Sequence, residues 1–284
     1  MKIAAAAYPI EWLADFAAYE DKIGRWVADA QGADLLVFPE YAAMELASLG
    51  GRQVASDLEA SLHEVARHAD AVEALHRRLA AQHGCHILAA SGPAFEGARP
   101  FNRAVLYGPD GLIGHQDKQI MTRFERDDWN VVGAPGLRVF DTALGRIGVL
   151  ICYDSEFPLL GRALAAAGVE LLLVPSCTDT VAGFHRVRIG AMARALESQC
   201  VVVHAPTVGA VDWNPAIDEN RGRAAIYGPP DGFWPETGII AEGDMDKPGW
   251  VIAELDLRRV ARSRADGAVL PFAHWPESEK SRLI

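Results

Sequence analysis

The chain has 284 residues, half of them hydrophobic and 23% charged, with a formal net charge of −11. That is the balance of a globular protein able to bury a large core without staples. The lysines and arginines are scattered, which excludes the basic face that nucleic acid or an anionic membrane requires, and Cys85, Cys152, Cys177 and Cys200 lack the paired spacing of a zinc site.

The N-terminal stretch Met1 to Pro9 is apolar only until Glu11 and Asp15 interrupt it. That is too short for an export signal with its cleavage site, and no run approaches the ~20 apolar residues of a membrane span. Four free thiols without an export signal imply a cytoplasmic setting. Residues 2–8 read as a strand. Trp12, Phe16, Tyr19, Ile23 and Trp26 then fall on one stripe of an amphipathic helix. Residues 33–40 read as a buried strand closed by Pro39. Helical spacing runs through Leu58, Leu62, Val65, Ala69, Val72, Leu75 and Leu79, as one helix or two, up to Gly84 as a C-terminal cap.

Strand-like runs follow at 86–92, 103–108, 112–118, 137–141 and 146–152, some joined by turns such as Gly108-Pro109-Asp110-Gly111. A helix at 158–167, a strand at 169–175, a helix at 184–199 and a strand at 200–205 come next. Strands near 223–228, 238–241 and 250–255 complete the pattern. Without a linker or repeat, residues 1–284 read as a single domain, with 258–284 a C-terminal extension whose Phe272 and Trp275 would be exposed to a partner subunit. Helix-linked and hairpin-linked strands together favour α/β layers with helices outside over a purely parallel sheet. Neither G-x-G-x-x-G nor a Walker loop is present.

Three positions can carry chemistry. In Gly148-Val149-Leu150-Ile151-Cys152-Tyr153-Asp154-Ser155-Glu156-Phe157-Pro158 an apolar strand runs into a cysteine at a strand-to-helix corner, where a helix N-terminus favours thiolate. Taken alone, Cys152 reads equally as a small core residue. Glu40 ends the strand 35–38, and shielding by Phe38 and Tyr41 would raise its pKa; alone it reads as a solvated strand-end carboxylate. Lys118 ends another extended run, where a lone lysine is ordinarily a surface charge.

Together these residues resemble the nitrilase (carbon–nitrogen hydrolase) superfamily: Leu36-Val37-Phe38-Pro39-Glu40, Asp117-Lys118, and Ile151-Cys152-Tyr153-Asp154 followed by Phe157-Pro158. Val174-Pro175-Ser176, Ala193-Arg194-Ala195-Leu196-Glu197, Gly228-Pro229-Pro230-Asp231-Gly232 and Glu254-Leu255-Asp256-Leu257 extend the resemblance over roughly residues 2–258. It implies a four-layer αββα sandwich in which Glu40, Lys118 and Cys152 meet, with Glu125 as a second glutamate orienting Lys118, and no metal or organic cofactor. Glu125 also reads as a loop carboxylate beside Arg123 and Arg126. Tyr8 stands where many relatives carry glutamine, and Ser198 where asparagine is common. Tyr153-Asp154 after the cysteine, in place of Trp-Glu, is similar to the amidase and carbamoylase branches and points away from nitriles.

The implied activity is hydrolysis of a small amide or N-carbamoyl compound through a Cys152 thioester, with Lys118 and the Tyr153 N–H holding the oxyanion. Tyr41, Phe124, Trp129, Tyr153, Thr178 and His185 are candidate pocket residues; Phe124 and Trp129 read equally as core. An acyltransferase using the same thioester and a catalytically silent binding protein are the alternatives. His63 and His68, five apart, do not share a helical face for zinc. Cys85, Cys177 and Cys200 read as core, and Arg186, Arg188 and Arg194 as structural or intersubunit ion pairs. The resemblance also implies a homodimer or larger assembly.

Overall fold

Alternation along β1 (Lys2–Pro9) sends Ile3, Ala5 and Ala7 to one face and Ala4, Ala6 and Tyr8 to the other, and both sets are buried. A strand covered on both sides belongs inside a layered fold. The computed structural model describes residues 1–30, 32–134 and 136–281.

One half-sheet contains β1, β2 (Leu35–Val37), β3 (His86–Leu88), β4 (Gly92–Phe95), β5 (Pro100–Gly108) and β6 (Gly111–Asp117). The other contains β7 (Val139–Thr142), β8 (Gly145–Val149), β9 (Leu171–Ser176), β10 (Val201–Ala210), the two-residue β11 (Glu219–Asn220), β12 (Ala225–Tyr227) and β13 (Ile239–Glu242). Strand β14 (Gly249–Glu254) returns antiparallel to β1. The halves join where Tyr8 and Pro9 of β1 run parallel to Thr207 and Val208 of β10. Helices α1 (Phe16–Asp29), α2 (Gly51–Ala55), α3 (Leu58–Arg67) and α4 (Ala69–His83) belong to the first half. The short α5 (Arg123–Asp127) follows β6, while α6 (Pro158–Ala166), α7 (Val181–Ser198), α8 (Arg258–Asp266) and α9 (Pro271–Ser278) accompany the second.

Two cores separate these layers. Ile3, Leu35, Val37, Leu88 and Leu106 from one half-sheet pack with Val149, Leu171, Leu173 and Val203 from the other, and α7 adds Val187, Ala191 and Ala195. Ala4, Ala6, Leu36, Phe38 and Ile87 pack outward against Tyr19, Ile23, Leu62, Val65, Leu75 and Leu79 of the first helices. The order is helix, sheet, sheet, helix, as the αββα resemblance implies.

Strand direction matters most for function. β1, β2 and β3 are mutually parallel, β1 is parallel to β10, and β8, β9 and β10 are parallel. β5 runs antiparallel to β3 and β6 antiparallel to β5, which restores the common direction in β6. The C-terminal ends of β2, β6, β8 and β9 therefore share one edge, and Glu40, Lys118, Cys152 and Cys177 lie just beyond them. Open α/β sheets bind ligands beyond such ends.

The local elements follow the sequence with some differences. Helix α1 starts only at Phe16 because Asp15 caps it, its carboxylate accepting from Ala18 N at 2.8 Å; Trp12 lies before it and is exposed. The stretch after Leu58 is two helices broken at His68, and Gly84 closes the second at φ +63°. The apolar segment Ala42–Gly50 forms 3-10 turns that periodicity does not reveal. The C-terminal extension is helical, and Phe272 and Trp275 are half-buried beneath the Arg162 guanidinium (5.6 and 5.1 Å) rather than free. Its residues 282–284 lie outside the described residues. Among the described residues no helix is long and apolar enough to cross a membrane.

A buried ion pair anchors the segment that follows Glu40. Glu45, on Ala42–Gly50, is fully buried and accepts from Tyr8 Oη at 2.6 Å and Lys22 Nζ at 2.7 Å, while Lys22 also donates to Pro9 O at 2.7 Å. Removing one partner of a buried pair strands the other without compensation. Lys22→Met is therefore expected to lower the unfolding free energy by about 3–5 kcal/mol, read as a reduced urea midpoint.

Candidate active site

Pro39 ends β2, and Tyr41 takes the left-handed region at φ +53°, so the chain turns sharply around Glu40. The Glu40 side chain is 1% exposed. Its Oε1 accepts from Lys118 Nζ at 2.7 Å and Asn102 Nδ2 at 2.9 Å, and its Oε2 from Cys177 N at 2.9 Å. Lys118, equally buried, also donates to Glu125 Oε1 at 2.8 Å and Oε2 at 2.7 Å.

Glu125 is fixed by its own helix. Thr122 and Glu125 form a capping box at the start of α5, with Thr122 N and Oγ1 donating to Oε2 at 2.9 and 2.8 Å. Tyr41 Oη donates to Oε1 at 2.8 Å. Glu125 is therefore a buried ligand of the lysine, not a loop carboxylate beside Arg123 and Arg126.

Cys152 occupies the corner between β8 and the 3-10 turn Cys152–Glu156, at φ +50°. A non-glycine residue there is strained, and such strain gathers at functional corners. The thiol donates to Cys177 O at 3.8 Å and stands in the field of the Glu40 carboxylate. Helix α7 braces the corner from behind. Arg194 Nη1 donates to Ser155 O at 2.8 Å, and a Cβ on Gly190 would stand 2.8 Å from that same oxygen, so only glycine permits the approach. Arg194 is thus structural within the chain. Asp154, fully buried, accepts N–H groups from Gln119 (3.1 Å) and Ile120 (2.9 Å), tying the loop after Lys118 to the cysteine corner.

Burial sets the titration behaviour. It pushes Glu40 up to about 7 against the attraction of Lys118, with Glu125 adding to the rise. Burial would also raise Glu125, but Lys118 and the Thr122 and Tyr41 donors outweigh it and hold Glu125 below its usual range. Burial would lower Lys118, yet Glu125 and Glu40 keep it protonated far above its usual range. Cys152 is held well above a normal thiol by burial and by Glu40, despite Lys118. Burial and the Glu40 charge thus work against the thiolate that a helix N-terminus would favour, and the helical turn that follows Cys152 is only five residues long. Burial also lifts Asp154 to about 6.

A cavity of about 780 Å³ opens over these groups, lined by Glu40, Lys118, Glu125, Cys152 and Cys177. Tyr41, Phe124, Trp129, Tyr153 and Thr178 also line it. Trp129 is at the same time core, 2% exposed and donating Nε1–H to Leu58 O at 3.0 Å. His185 is not at the cavity. It is exposed on α7, and Arg186 and Val187, rotated about 100° per residue around the helix, face the cavity in its place. Cys177 corrects the core reading: it is partly exposed in the cavity, while Cys85 and Cys200 are buried. The sequence reading missed Asn102, whose signal is a polar residue in the inward phase of β5. Among the described residues no group of three or more metal-ligating side chains could hold an ion.

A family model described as carbon-nitrogen hydrolase matches residues 2–265. Probable hydrolase YhcX of Bacillus subtilis (strain 168) is 30% identical over 271 residues, covering 95% of this chain and 52% of that protein, so the chain spans about half that relative's length. The (R)-stereoselective amidase of Pseudomonas sp is 35% identical over 241 residues, covering 84% of this chain and 78% of that protein. Saccharomyces cerevisiae Nit3, described as a member of branch 10 of the nitrilase superfamily, superposes with a TM-score of 0.71 at 21% identity over 93% of both chains. An amidase from Nesterenkonia sp. superposes with a TM-score of 0.68 at 24% identity over 94% of both. At these identities the two structures show a shared fold.

The Glu40 shift has a stability consequence. Burial raises its carboxyl to about 7 in the fold from 4.5 for a free glutamate, so the fold favours the protonated form. That advantage is complete below the unfolded value and is lost as pH rises through the folded one. Glu40→Gln cannot ionise, so its stability relative to wild type is expected to rise by roughly 1–3 kcal/mol between about pH 5 and about pH 8. Urea midpoints of both proteins at the two pH values check this.

Proposed function

The chain belongs to the carbon–nitrogen hydrolase family, and from that premise we propose that it hydrolyses a small non-peptide amide or N-carbamoyl compound through a thioester on Cys152. The observation that carries this reading is the buried Lys118 ammonium, within 2.7 Å of both Glu40 and Glu125, in the cavity that Cys152 also lines.

Because the resting thiol is protonated, its proton leaves as sulfur attacks. Glu40 accepts it while Sγ bonds to the substrate carbonyl carbon. The carbonyl oxygen becomes an oxyanion held by Lys118 and by the Tyr153 N–H, one of the N–H groups that the start of a helical turn leaves without an internal partner. Losing one such donor typically costs about 100- to 1000-fold in rate. Glu40 then returns the proton to the departing nitrogen, the C–N bond breaks, and ammonia or an amine leaves. Water enters, Glu40 takes its proton, hydroxide adds to the thioester carbonyl, and collapse releases the acid and restores the thiol. One carboxylate serves as base, acid and base again, which a titration near neutrality suits. Glu125 keeps Lys118 charged and in place.

A silent scaffold would gain nothing from this arrangement. Desolvating several charges can cost more than their attraction returns, and a left-handed cysteine adds strain. Tyr41, Phe124, Trp129 and Met121 offer an apolar wall for the acyl part of the substrate. The Pseudomonas relative's name, amidase, supports the substrate class, as does Tyr153-Asp154 after the nucleophile. The same reading has the whole chain act as one domain in the cytoplasm, assembled as a homodimer or larger oligomer. Exposed Leu159, Ile189 and Leu196 on α6 and α7 support the assembly.

Cys152→Ala is expected to fold with a native circular dichroism spectrum and to lose more than about 1000-fold in amide turnover. Mass spectrometry of the wild type after exposure to a panel of amides and N-carbamoyl compounds should trap an acyl adduct on the Cys152 peptide. Full turnover by Cys152→Ala would end the proposal; faster product formation on adding an amine would assign the thioester to acyl transfer.

A further inference from the structure

Asn102 is fully buried on β5, in an inward position otherwise given to core residues such as Ala104 and Leu106. A buried carboxamide must satisfy its donors and its acceptor. Its Nδ2 donates to Glu40 Oε1 at 2.9 Å, and its Oδ1 accepts from Ser91 Oγ at 2.6 Å. Ser91 Oγ in turn accepts from Tyr41 N at 3.0 Å. That backbone donor occupies one lone pair of the hydroxyl and the hydroxyl proton goes to Asn102 Oδ1, which leaves Nδ2 to meet Glu40, a carboxylate that when ionised can only accept. Through its main chain Asn102 also holds the third member of the group: its carbonyl accepts from Lys118 N at 2.9 Å.

We propose that Asn102, locked by Ser91 and the Tyr41 N–H, is the positioning residue that seats the Glu40 carboxylate against Lys118 and favours its ionised form. This rests on the proposed role of Glu40 as proton acceptor. The titratable groups that face Glu40 are Lys118 after β6, Glu125 on α5, Cys152 after β8, Cys177 after β9 and the adjacent Tyr41. The neutral amide donors to Glu40 are Asn102 Nδ2, on Oε1, and the Cys177 N–H, on Oε2. Removal of the Asn102 amide leaves every charge in place and withdraws one hydrogen bond from the ionised carboxylate, so Glu40 ionises at higher pH.

The test reads the thiol rather than any amide. The rate of Cys152 alkylation by iodoacetamide, followed by mass spectrometry of its peptide, is measured against pH in the full-length protein, with Glu40→Gln as reference. The wild-type rate should inflect near neutrality and Glu40→Gln should lack that inflection. Asn102→Ala should move the inflection upward by about one to two pH units. Ser91→Ala, which deletes one oxygen and frees the amide to turn, should move it the same way by less, and it carries the test if Asn102→Ala does not fold. A merely structural Asn102 would lower the melting temperature and leave the inflection where it was; an unmoved inflection in both variants overturns the proposal. An inflection retained in Glu40→Gln overturns the role of Glu40 and that of Asn102 with it. A wild type that inflects near neutrality, with the inflection moved in Asn102→Ala, but that hydrolyses no amide sinks the proposed activity while the role of Asn102 stands.

Discussion

A lysine ammonium sealed between two carboxylates is the constraint around which this molecule is arranged. Lys118 is 1% exposed and cannot be left alone in that environment, so Glu40 and Glu125 must both approach it within 2.8 Å. Each carboxylate is then immobilised in turn. Glu125 is tied by its capping box and by Tyr41, and Glu40 by Asn102 and the Cys177 N–H. Such a network is stable only when every member is satisfied.

The sheet makes that network possible. Glu40, Lys118 and Cys152 are separated by long stretches of chain, yet the strands that deliver them run in one direction and stop at one edge. Connections on opposite faces fill the layers above and below, so the edge is held by two hydrophobic cores. The cysteine corner is strained at φ +50° and is supported by α7 through Gly190 and Arg194. Asp154 links that corner to the loop that follows Lys118, which ties the Cys152 and Lys118 segments together through backbone N–H groups.

Electrostatics divides the labour between two similar carboxylates. Glu125 receives the bidentate contact with Lys118 and three further donors, and stays ionised. Glu40 shares the lysine, faces the thiol and is left near neutrality by burial. Environments that push paired acids apart in this way are the usual mark of distinct roles. Burial and Glu40 both favour the protonated thiol, which in the proposed mechanism ties attack by sulfur to proton transfer onto Glu40.

Much of this was legible in the amino-acid order. Strand and helix periods, the Asp15 and Gly84 caps, the apolar run into Cys152 and the positions of Glu40 and Lys118 are local features, fixed by spacing and side-chain chemistry within a few residues. The layered α/β architecture followed from the mixture of connections and from the family resemblance. What periodicity could not supply was anything settled by contacts between distant segments. The choice of Arg186 and Val187 over His185 at the cavity depends on how α7 is rotated against the sheets. The place of Cys177 depends on β9 ending beside Glu40, and the upward push on the Cys152 thiol on how deeply it is buried. Asn102 was visible only as a polar residue in an inward phase, and its partners are 11 and 62 residues away in the chain. Sequence decides which groups are available and on which face of each element they stand; burial and the distances between elements, which set their charge and their neighbours, exist only once the layers have packed.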